Sequence, residues 1–481
     1  MLKIDPLKQA VPLREAVAAH ALPWGWAVGS LSLSILLSSM GTSIANVGLP
    51  ALAQAFGATF QAVQWVVIAY LLAITTLIVS VGRLGDLMGR KRLLLAGVAL
   101  FTLASVVCGA SPWLWLLIAA RAVQGLGAAV MMALTMAFVG QTVPKARTGS
   151  AMGLLATMSA IGTALGPSLG GALVAGFGWP ALFLVNVPLG ILTFVLAWRH
   201  LPVDRHASAQ LPPGFDHLGA LLLALTLAAY ALAMTTGRSH WGLLNYALLG
   251  ATALGVGVFV WVQATARSPL IQLALFRNRA LCASLAMNAL VSTVMMATLV
   301  VGPFYLARGL GLGASMVGAV MSVGPLISVF GGVVSGRMVD RWGTARIALA
   351  GLVAMTLGAL VLSSIPAAFG IAGYVAGIAI LTPGYQLFQS ANNTAVMADV
   401  QADQRGLISG LLTLSRNLGL VTGASVMGAV FAFAAQTAEI SAAAPQSIAH
   451  GMHVTFAMAA VLTGAALALA ALTYRAARQG S

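Results

Sequence analysis

Two arginines, Arg121 and Arg416, lie well inside apolar stretches of this 481-residue chain. A charged side chain at the centre of a membrane-spanning helix costs about 2.5–3.5 kcal/mol on insertion scales, so such residues face the protein interior or a water-filled cavity. Two unpaired cations in one cavity would favour an anionic or zwitterionic ligand. Alternatively, each arginine donates to carbonyls and amides of neighbouring helices, with Gln124 and Asn417 as local partners. Both alternatives stay open for Arg121, and the structural one is favoured for Arg416.

Neutral polar residues in the apolar stretches could line the same cavity. Gln386, Gln389 and Asn393 share one helix face, because they are spaced three and four residues apart. Amides mixed with adaptable methionine side chains suit an amphipathic organic compound better than a sugar, which needs denser hydrogen bonding. The candidate substrate-binding or coupling residues are Arg121, Gln124, Asn46, Gln64, Tyr70, Asn288, Gln386, Gln389, Asn393 and Arg416.

Groups that could perform catalysis are placed less favourably. All nine Asp and Glu residues fall in predicted loops or at the ends of apolar stretches. Cys108 and Cys282 lie within apolar stretches, and nothing supports a disulfide, a metal site or a cofactor. A lipid-modifying enzyme would need carboxylates, histidines or a nucleophile–base pair near one interface. His450 and His453 with Glu439 come closest, and a solvated loop is the favoured interpretation.

The elements that position these residues are long apolar runs. Sixty per cent of the residues are hydrophobic and 7% are charged, which predicts an all-α polytopic membrane protein. Basic residues are scattered between the runs rather than gathered on a soluble face, so nucleic acid is not expected as a partner. At about 20 residues per crossing, fourteen spans are predicted near 24–49, 60–81, 93–110, 113–139, 149–175, 180–198, 217–236, 242–263, 280–306, 314–335, 346–365, 368–396, 406–435 and 453–474.

The distribution of Lys and Arg predicts the orientation of these spans. With the N-terminus in the cytoplasm, twenty of these residues fall on the cytoplasmic side, and only Arg238 and Arg308 fall outside. Positive residues concentrate in cytoplasmic loops of membrane proteins. Both termini are therefore expected in the cytoplasm. The first apolar run is too long for a cleaved signal peptide and is interpreted as a retained helix.

Two internal repeats divide the chain. Gly82, Asp86 and Gly89 recur as Gly336, Asp340 and Gly343 at an offset of 254 residues, and three glycines are expected to allow a tight reversal over 82–92. A glycine series in the fifth span recurs in the thirteenth at an offset of 257. Two pseudo-symmetric six-helix bundles with two inserted helices are therefore predicted. The expected divisions are a cytoplasmic segment 1–23, a bundle 24–198, linkers with inserted helices 199–279, a bundle 280–474 and a cytoplasmic tail 475–481.

Four motifs lie in residues 82–92, 121–127, 162–171 and 46–50. Together they resemble motifs of the major facilitator superfamily, in its fourteen-helix drug–proton antiporter (multidrug efflux) branch. Residues 82–92 are similar to its loop between helices two and three, and 121–127 to its fourth-helix basic motif. Residues 162–171 resemble its fifth-helix antiporter motif, and 46–50 the end of its first-helix motif. The resemblance covers nearly the whole chain. It is specific for the fold and for transport, and it does not specify the substrate.

The resemblance implies roles for two of these motifs. The loop would act as a latch between the bundles that is released when the transporter turns inward, and the alternative is a basic turn that only sets topology. The latch residues would be Gly82, Asp86, Gly89, Arg90 and Asp340. The glycine-rich fifth helix would lie at the bundle interface and rock during transport, and simple close packing of small residues is the alternative. Its residues would be Gly162, Gly166, Pro167, Gly170 and Gly171.

One departure from the family pattern concerns proton coupling. The branch usually carries an aspartate in helix one, a natural proton carrier near the fourth-helix arginine. Alignment on Asn46 and Pro50 places Gly41 at that position. Asp216, at the start of span seven, could substitute for it, and a helix N-cap is the favoured alternative. Proton antiport is therefore an expectation from the resemblance and is not indicated by these residues.

The favoured function is a secondary active exporter of amphipathic organic compounds, and protons are a further expected partner. A facilitator, or an exporter of organic anions that does not use the usual proton site, is the alternative. An ATP-driven pump is disfavoured because none of the four lysines follows a glycine, as a phosphate-binding loop would require. The chain is expected to be a multi-pass monomer in the bilayer of a bacterial cytoplasmic (inner) membrane.

Overall fold

The computed structural model describes residues 24–78, 80–142, 148–202, 216–236, 242–266, 269, 271, 273–398, 405–436 and 443–479. Within these ranges all regular secondary structure is helical, and fourteen helices are long and apolar enough to cross a membrane. A helix satisfies every backbone N–H and C=O within its own segment, which lipid requires. The predicted all-α fold and the predicted number of spans are both confirmed.

Of the fourteen long helices within the described residues, six belong to the first half of the chain, two are inserted, and six belong to the second half. The first half has α1 (Trp24–Ala55), α2 (Phe60–Ile78), α3 (Arg90–Gly109), α4 (Leu114–Thr142), α5 (Thr148–Phe177) and α6 (Ala181–Leu184 with Asn186–His200). The inserted pair is α7 (His217–Thr235) and α8 (Leu243–Thr265). The second half has α9 (Arg279–Phe304), α10 (Ala314–Met321 with Val323–Trp342), α11 (Thr344–Ser364), α12 (Gly370–Ala398), α13 (Arg405–Thr422 with Gly428–Ala434) and α14 (Pro445–Gln479). Short π-helical turns, Tyr305–Gly309 and Gly423–Met427, follow α9 and join the two parts of α13.

The prediction that three glycines make a tight reversal over residues 82–92 is wrong, because only one of them lies at the turn. Residues Val81–Met88 are helical, so Gly82 and Gly85 lie in a helix, and Gly89 makes the turn alone with φ 90° and ψ 128°. Its counterpart Gly343 joins α10 to α11 with φ 84° and ψ 154°. One glycine with a positive φ, a conformation that residues with side chains disfavour, suffices for each turn. The neighbouring residues stay helical and keep their backbone hydrogen bonds at the membrane edge.

Close helix pairs recur in both halves. A Cβ atom built on Gly127 of α4 would lie 2.6 Å from the carbonyl oxygen of Gly97 of α3, and one on Gly384 of α12 would lie 2.7 Å from that of Gly351 of α11. Gly97 and Gly351 differ by 254 positions, and Gly127 and Gly384 by 257. The two halves therefore repeat in packing at the same offsets that the sequence shows, because only residues without side chains let these helices approach so closely.

The inserted pair packs on one side of the two halves. The helix α7 contacts both α2 and α13, and α8 packs on α7. Trp65 Nε1 donates to Thr235 Oγ1 at 3.0 Å, and Tyr230 Oη donates to Thr422 Oγ1 at 3.4 Å. The pair therefore covers the seam between α2 and α13 and touches both halves of the molecule.

Asp216 caps the start of α7. Its carboxylate accepts hydrogen bonds from Gly219 N at 2.7 Å and from Gln263 Nε2 at 2.8 Å, while Gln263 Oε1 accepts from Ile271 N at 3.0 Å. These bonds join both ends of the inserted pair. The favoured sequence interpretation, a helix N-cap, agrees with this geometry.

Candidate functional site

Arg121 lies at the centre of a buried network that joins α1, α2, α3 and α4. Its side chain is fully buried. Nε donates to Val66 O at 2.9 Å, Nη1 to Gln124 Oε1 at 2.5 Å and Nη2 to Gly41 O at 3.0 Å. Gln124 Nε2 then donates to Ser105 Oγ at 2.7 Å. All three nitrogens of the guanidinium therefore have acceptors within the protein.

Aromatic rings complete the surroundings of Arg121. Its guanidinium carbon lies 4.0 Å from the ring centroid of Tyr70 and 5.8 Å from that of Phe183. Cations are attracted to the faces of aromatic rings at such distances. The hydroxyl of Tyr70 donates to Ser38 O at 2.9 Å, which fixes α2 against α1. Carbonyl dipoles and ring faces thus surround this charge, and its three hydrogen-bond acceptors are all neutral.

Gly41 occupies the position where the resembled family carries a carboxylate. Its carbonyl oxygen is the acceptor for Arg121 Nη2. A Cβ atom at position 41 would lie 2.9 Å from Tyr70 Oη and 3.2 Å from the ring of Phe101. The site as built has little room for a side chain there. Position 41 thus lies beside the fourth-helix arginine, and its backbone carbonyl is an acceptor there.

The two halves touch through α2 and α13 at the end of the molecule that carries Phe60, Phe304 and Phe431, called here the Phe60 end. The ring of Phe60 lies 4.7 Å from that of Phe304 and 5.3 Å from that of Phe431. One turn along α2, Gln64 Nε2 donates to Ala424 O at 2.9 Å. Ala424 lies in the π-helical turn of α13, and such turns often mark functional sites.

The glycine series of α5 faces two neighbours. Cβ atoms on Gly162, Gly166 and Gly170 would meet Leu36, Ser43 and Val47 of α1 respectively. A Cβ on Gly171 would lie 2.7 Å from Gly318 Cα in α10, and one on Gly318 would lie 2.6 Å from Pro167 O. The first three residues therefore pack α5 within its own half, while Gly171 and Pro167 lie where the two halves meet.

The predicted polar residues divide into two groups by exposure. Six are buried, in or beside helix–helix contacts of the protein: Arg121, Gln124, Asn46, Gln64, Tyr70 and Asn288. Asn46 Nδ2 donates to Thr42 O at 3.0 Å, and Asn288 Nδ2 donates to Leu412 O at 2.9 Å. Four are half-buried or exposed, and all of them lie on α12 and α13: Gln386, Gln389, Asn393 and Arg416. Sequence position alone could not separate these groups.

The predicted latch is only partly within the described residues. Gly82 and Asp86 are described only as part of a helical backbone, Gly89 makes the turn, Arg90 is half-buried and Asp340 is exposed. The latch therefore stays a prediction. Glu439, the carboxylate considered for an enzyme site, lies outside the described residues, and His453 Nε2 is 2.9 Å from Ile365 O.

Sequence reasoning missed several residues that hold these contacts. Ser105 and Phe183 complete the Arg121 network, and Phe60 joins the two halves. A signal existed for Phe60, because it precedes Gln64 by four residues and so lies on the same face of α2. The two carbonyl acceptors of Arg121 left no sequence signal, since any residue has a carbonyl.

Comparison with known proteins decides the family. The model of the Major Facilitator Superfamily matches residues 31–424. The chain belongs to this superfamily. The riboflavin transporter RibZ of Clostridioides difficile is 30% identical over 403 residues, which cover 84% of this chain and 87% of that protein. The multidrug resistance protein Stp of Mycobacterium tuberculosis is 31% identical over 411 residues, which cover 83% and 74%.

A solved transporter structure has the same fold as this chain. A bacterial homologue of the human lysosomal transporter Spinster, in an inward-facing and unoccupied conformation, matches with a TM-score of 0.67 and 16% identity, covering 94% of this chain and 97% of that one. The chain is thus a multi-pass membrane transporter of small molecules and not an enzyme. The resemblance to a superfamily with a multidrug branch is confirmed.

Proposed function

We propose that this transporter exports amphipathic organic compounds from the cytoplasm by alternating access. In this proposal it works as a monomer in the cytoplasmic membrane, with both termini inside. The Phe60 end then faces outward and the Gly89 and Gly343 turns face the cytoplasm. Two bundles would rock about a midplane site and expose it to each side in turn.

The contact between Gln64 and Ala424 is the observation that carries this proposal. It joins one half to the other at 2.9 Å, next to the Phe60 aromatic cluster, at the end assigned to the outside. A single neutral hydrogen bond contributes about 0.5–1.5 kcal/mol net. A contact of that strength closes one end and can be broken during a transport cycle.

The half-buried and exposed polar residues of α12 and the names of the relatives support the proposed substrate class. Gln386, Gln389 and Asn393 offer amides on one face of α12, where Gln386 and Gln389 are half-buried and Asn393 is exposed. A cavity with these amides in its wall would suit compounds with an apolar body and a few polar groups. The names of the relatives, a riboflavin transporter and a multidrug resistance protein, support organic compounds of this kind.

Proton antiport remains part of the proposal, and it needs a titrating group other than a first-helix carboxylate. Gly41 supplies only a carbonyl to Arg121. That observation favours a second candidate, an exporter or facilitator of organic anions that does not use the usual proton site. The two candidates differ in whether a proton gradient drives substrate movement.

Reconstitution into proteoliposomes tests the proposal. Riboflavin, ethidium and 8-anilino-1-naphthalenesulfonate provide neutral, cationic and anionic amphipathic probes. Accumulation against a gradient only when a pH difference is imposed supports proton antiport. Equal rates with and without the pH difference support facilitation. No movement of any probe beyond that in protein-free liposomes would contradict the proposed function.

A further inference from the structure

We infer that Arg416 is the residue that receives an anionic group of the substrate, and that Arg121 is a structural cation. This inference rests on the proposed function and names the chemistry of the same site. It reverses the sequence expectation, which favoured a structural role for Arg416. The substrates it selects are amphipathic organic anions, carrying a carboxylate or a sulfonate.

Each guanidinium nitrogen of Arg121 already donates to an acceptor within the protein. The side chain is fully buried, and the acceptors are Val66 O, Gln124 Oε1 and Gly41 O. A substrate anion could reach it only by displacing these acceptors. Arg416 differs in both respects. It is exposed, and within the part of the chain that the structure describes no hydrogen bond or ion pair involves it.

Arg416 lies near the middle of its helix. The two parts of α13 and the turn between them run from Arg405 to Ala434. At about 1.5 Å per residue, the Cα of Arg416 lies about 5 Å from the midpoint of this helix. An arginine at that depth is costly against lipid and persists where it faces water or a polar partner. Its exposed surface therefore indicates a water-filled cavity.

The contacts of α13 show which way Arg416 points. Leu414 belongs to an apolar cluster that includes Leu223 and Leu227 of the inserted helix α7 and Leu281 and Leu285 of α9, and Leu418 packs against the same cluster. Arg416 is two residues from each, so it lies about 160° around the helix from both. Ser415 Oγ donates to Leu285 O of α9. Arg416 consequently points away from the cluster that α13 forms with α7 and α9. The proposal places it towards the space between the bundles.

The polar residues of α12 lie at the same height. The last residue of α12, Ala398, and the first of α13, Arg405, mark the same end of the molecule. Counted at about 1.5 Å per residue, Arg416 is about 16 Å from that end, between Gln389 at about 14 Å and Gln386 at about 18 Å. Arg416, Gln389 and Gln386 thus lie in one layer, while Asn393 lies closer to that end, at about 8 Å.

A second polar group beside Arg416 lacks a partner. Asn417 is 7% exposed, and its Nδ2 has no hydrogen-bond acceptor among the described residues. Buried donors are normally paired, so an unpaired one points to a missing acceptor. A carboxylate or sulfonate offers only acceptor oxygens. An anion bound at Arg416 would supply acceptors to the only two donors on this turn of α13 that the described structure leaves without one.

Binding of two matched probes tests the inference. 8-Anilino-1-naphthalenesulfonate and N-phenyl-1-naphthylamine differ only in the sulfonate. A charge-assisted contact contributes about 1.5–3 kcal/mol, so Arg416→Gln should weaken binding of the sulfonate about tenfold or more and leave binding of the neutral probe unchanged. Arg416→Lys should retain most of the affinity. Arg346→Gln removes an exposed positive charge at the start of α11 and should change neither affinity.

Three outcomes would overturn the assignment. These are unchanged sulfonate binding in Arg416→Gln, equal losses for both probes, or a wild-type protein that transports riboflavin or ethidium but binds the sulfonate no better than the neutral probe. The last outcome would leave the proposed function intact. Failure of the wild-type protein to transport any probe would instead contradict the proposed function.

A cysteine at position 416 keeps the test usable if Arg416→Gln does not fold. In a Cys108→Ala/Cys282→Ala background, Arg416→Cys should react with a membrane-impermeant cationic thiosulfonate, and the sulfonate probe should bind again once the reagent has restored a positive charge. A cysteine that does not react, although the neutral probe still binds, would show that position 416 does not face water and would refute the assignment.

Discussion

Gly428 has no side chain at the point where Gln64 crosses from the first half of the transporter to the second. A Cβ atom built on Gly428 would overlap Gln64 Nε2, the atom that donates to Ala424 O at 2.9 Å. The absence of one methyl group on α13 therefore permits the hydrogen bond between the halves. Ala424 lies within the π-helical turn Gly423–Met427, and Gly428 follows directly after it.

Gly428→Ala should weaken closure at the Phe60 end without unfolding the protein. The overlapped atom is the far end of a flexible side chain, which can move aside at the cost of its hydrogen bond. That loss amounts to about 0.5–1.5 kcal/mol, or about a twofold to tenfold shift towards the state open at this end. The shift is measurable as faster labelling of Val47→Cys, which lines the cavity between α1 and α10 at this end.

Gly410→Ala is the matched control for this experiment. Gly410 lies on the same helix, and a Cβ atom there meets nothing within 4 Å. Gly410→Ala should label at the wild-type rate. Equal labelling rates in the two alanine variants would mean that the Gln64 contact does not hold this end closed.

Arg121→Met should reduce the folded yield and the Tm more than Arg416→Gln does. Removal of the guanidinium leaves the carbonyls of Gly41 and Val66 and the amide of Gln124 without their donor in a buried site. An unsatisfied buried group costs about 1–3 kcal/mol. Arg121→Lys should rescue little, because an ammonium group cannot reproduce the fork of donors. Thermal unfolding in detergent compares the Tm values of the variants. If Arg121→Met were as stable as the wild-type protein but no longer transported, Arg121 would act in the substrate cavity and not as a structural cation.

The run lengths and the repeat offsets predicted the fourteen spans and the duplicated halves. The length of an apolar run and the offset between two repeats can both be read directly from a single sequence. The different environments of Arg121 and Arg416 could not be predicted in this way. The sequence shows that each lies in an apolar run, but exposure depends on which helix packs against which face. That choice is made by contacts between residues far apart in the chain, such as Ser415 with Leu285.

The turn after α2 illustrates a second limit. Gly82, Gly85 and Gly89 are equivalent as residue types, and a reversal could have used any of them. The structure uses Gly89 alone and continues a helix through the other two. Glycine permits a positive φ without requiring one, so hydrogen bonding of the neighbouring backbone decides.

Gly127→Ala and Gly384→Ala should destabilise the protein by similar amounts. Each new methyl group would meet backbone atoms of the facing helix, Gly97 O and Phe101 N in the first half, Gly351 O and Met355 N in the second, at 2.6–2.8 Å. Backbone cannot move aside as a side chain can, so overpacking of about 1–3 kcal/mol is expected in both. Gly464→Ala on α14, with nothing within 4 Å, is the control. Very different Tm losses for the two variants would argue against equivalent packing in the two halves.

Gly41→Asp combined with Tyr70→Phe should make transport more dependent on a pH gradient. The aspartate would stand beside Arg121, where Gly41 now supplies a carbonyl, and Tyr70→Phe removes the hydroxyl that lies 2.9 Å from the new Cβ. A carboxylate adds a group that can bind and release a proton, which the carbonyl of Gly41 cannot do. Gly41→Asn with Tyr70→Phe has the same shape and no charge, so it separates titration from crowding. Transport by the two double variants in proteoliposomes, with and without an imposed pH difference, gives the readout. The same response in both would exclude position 41 as a place where a proton can be coupled to the substrate.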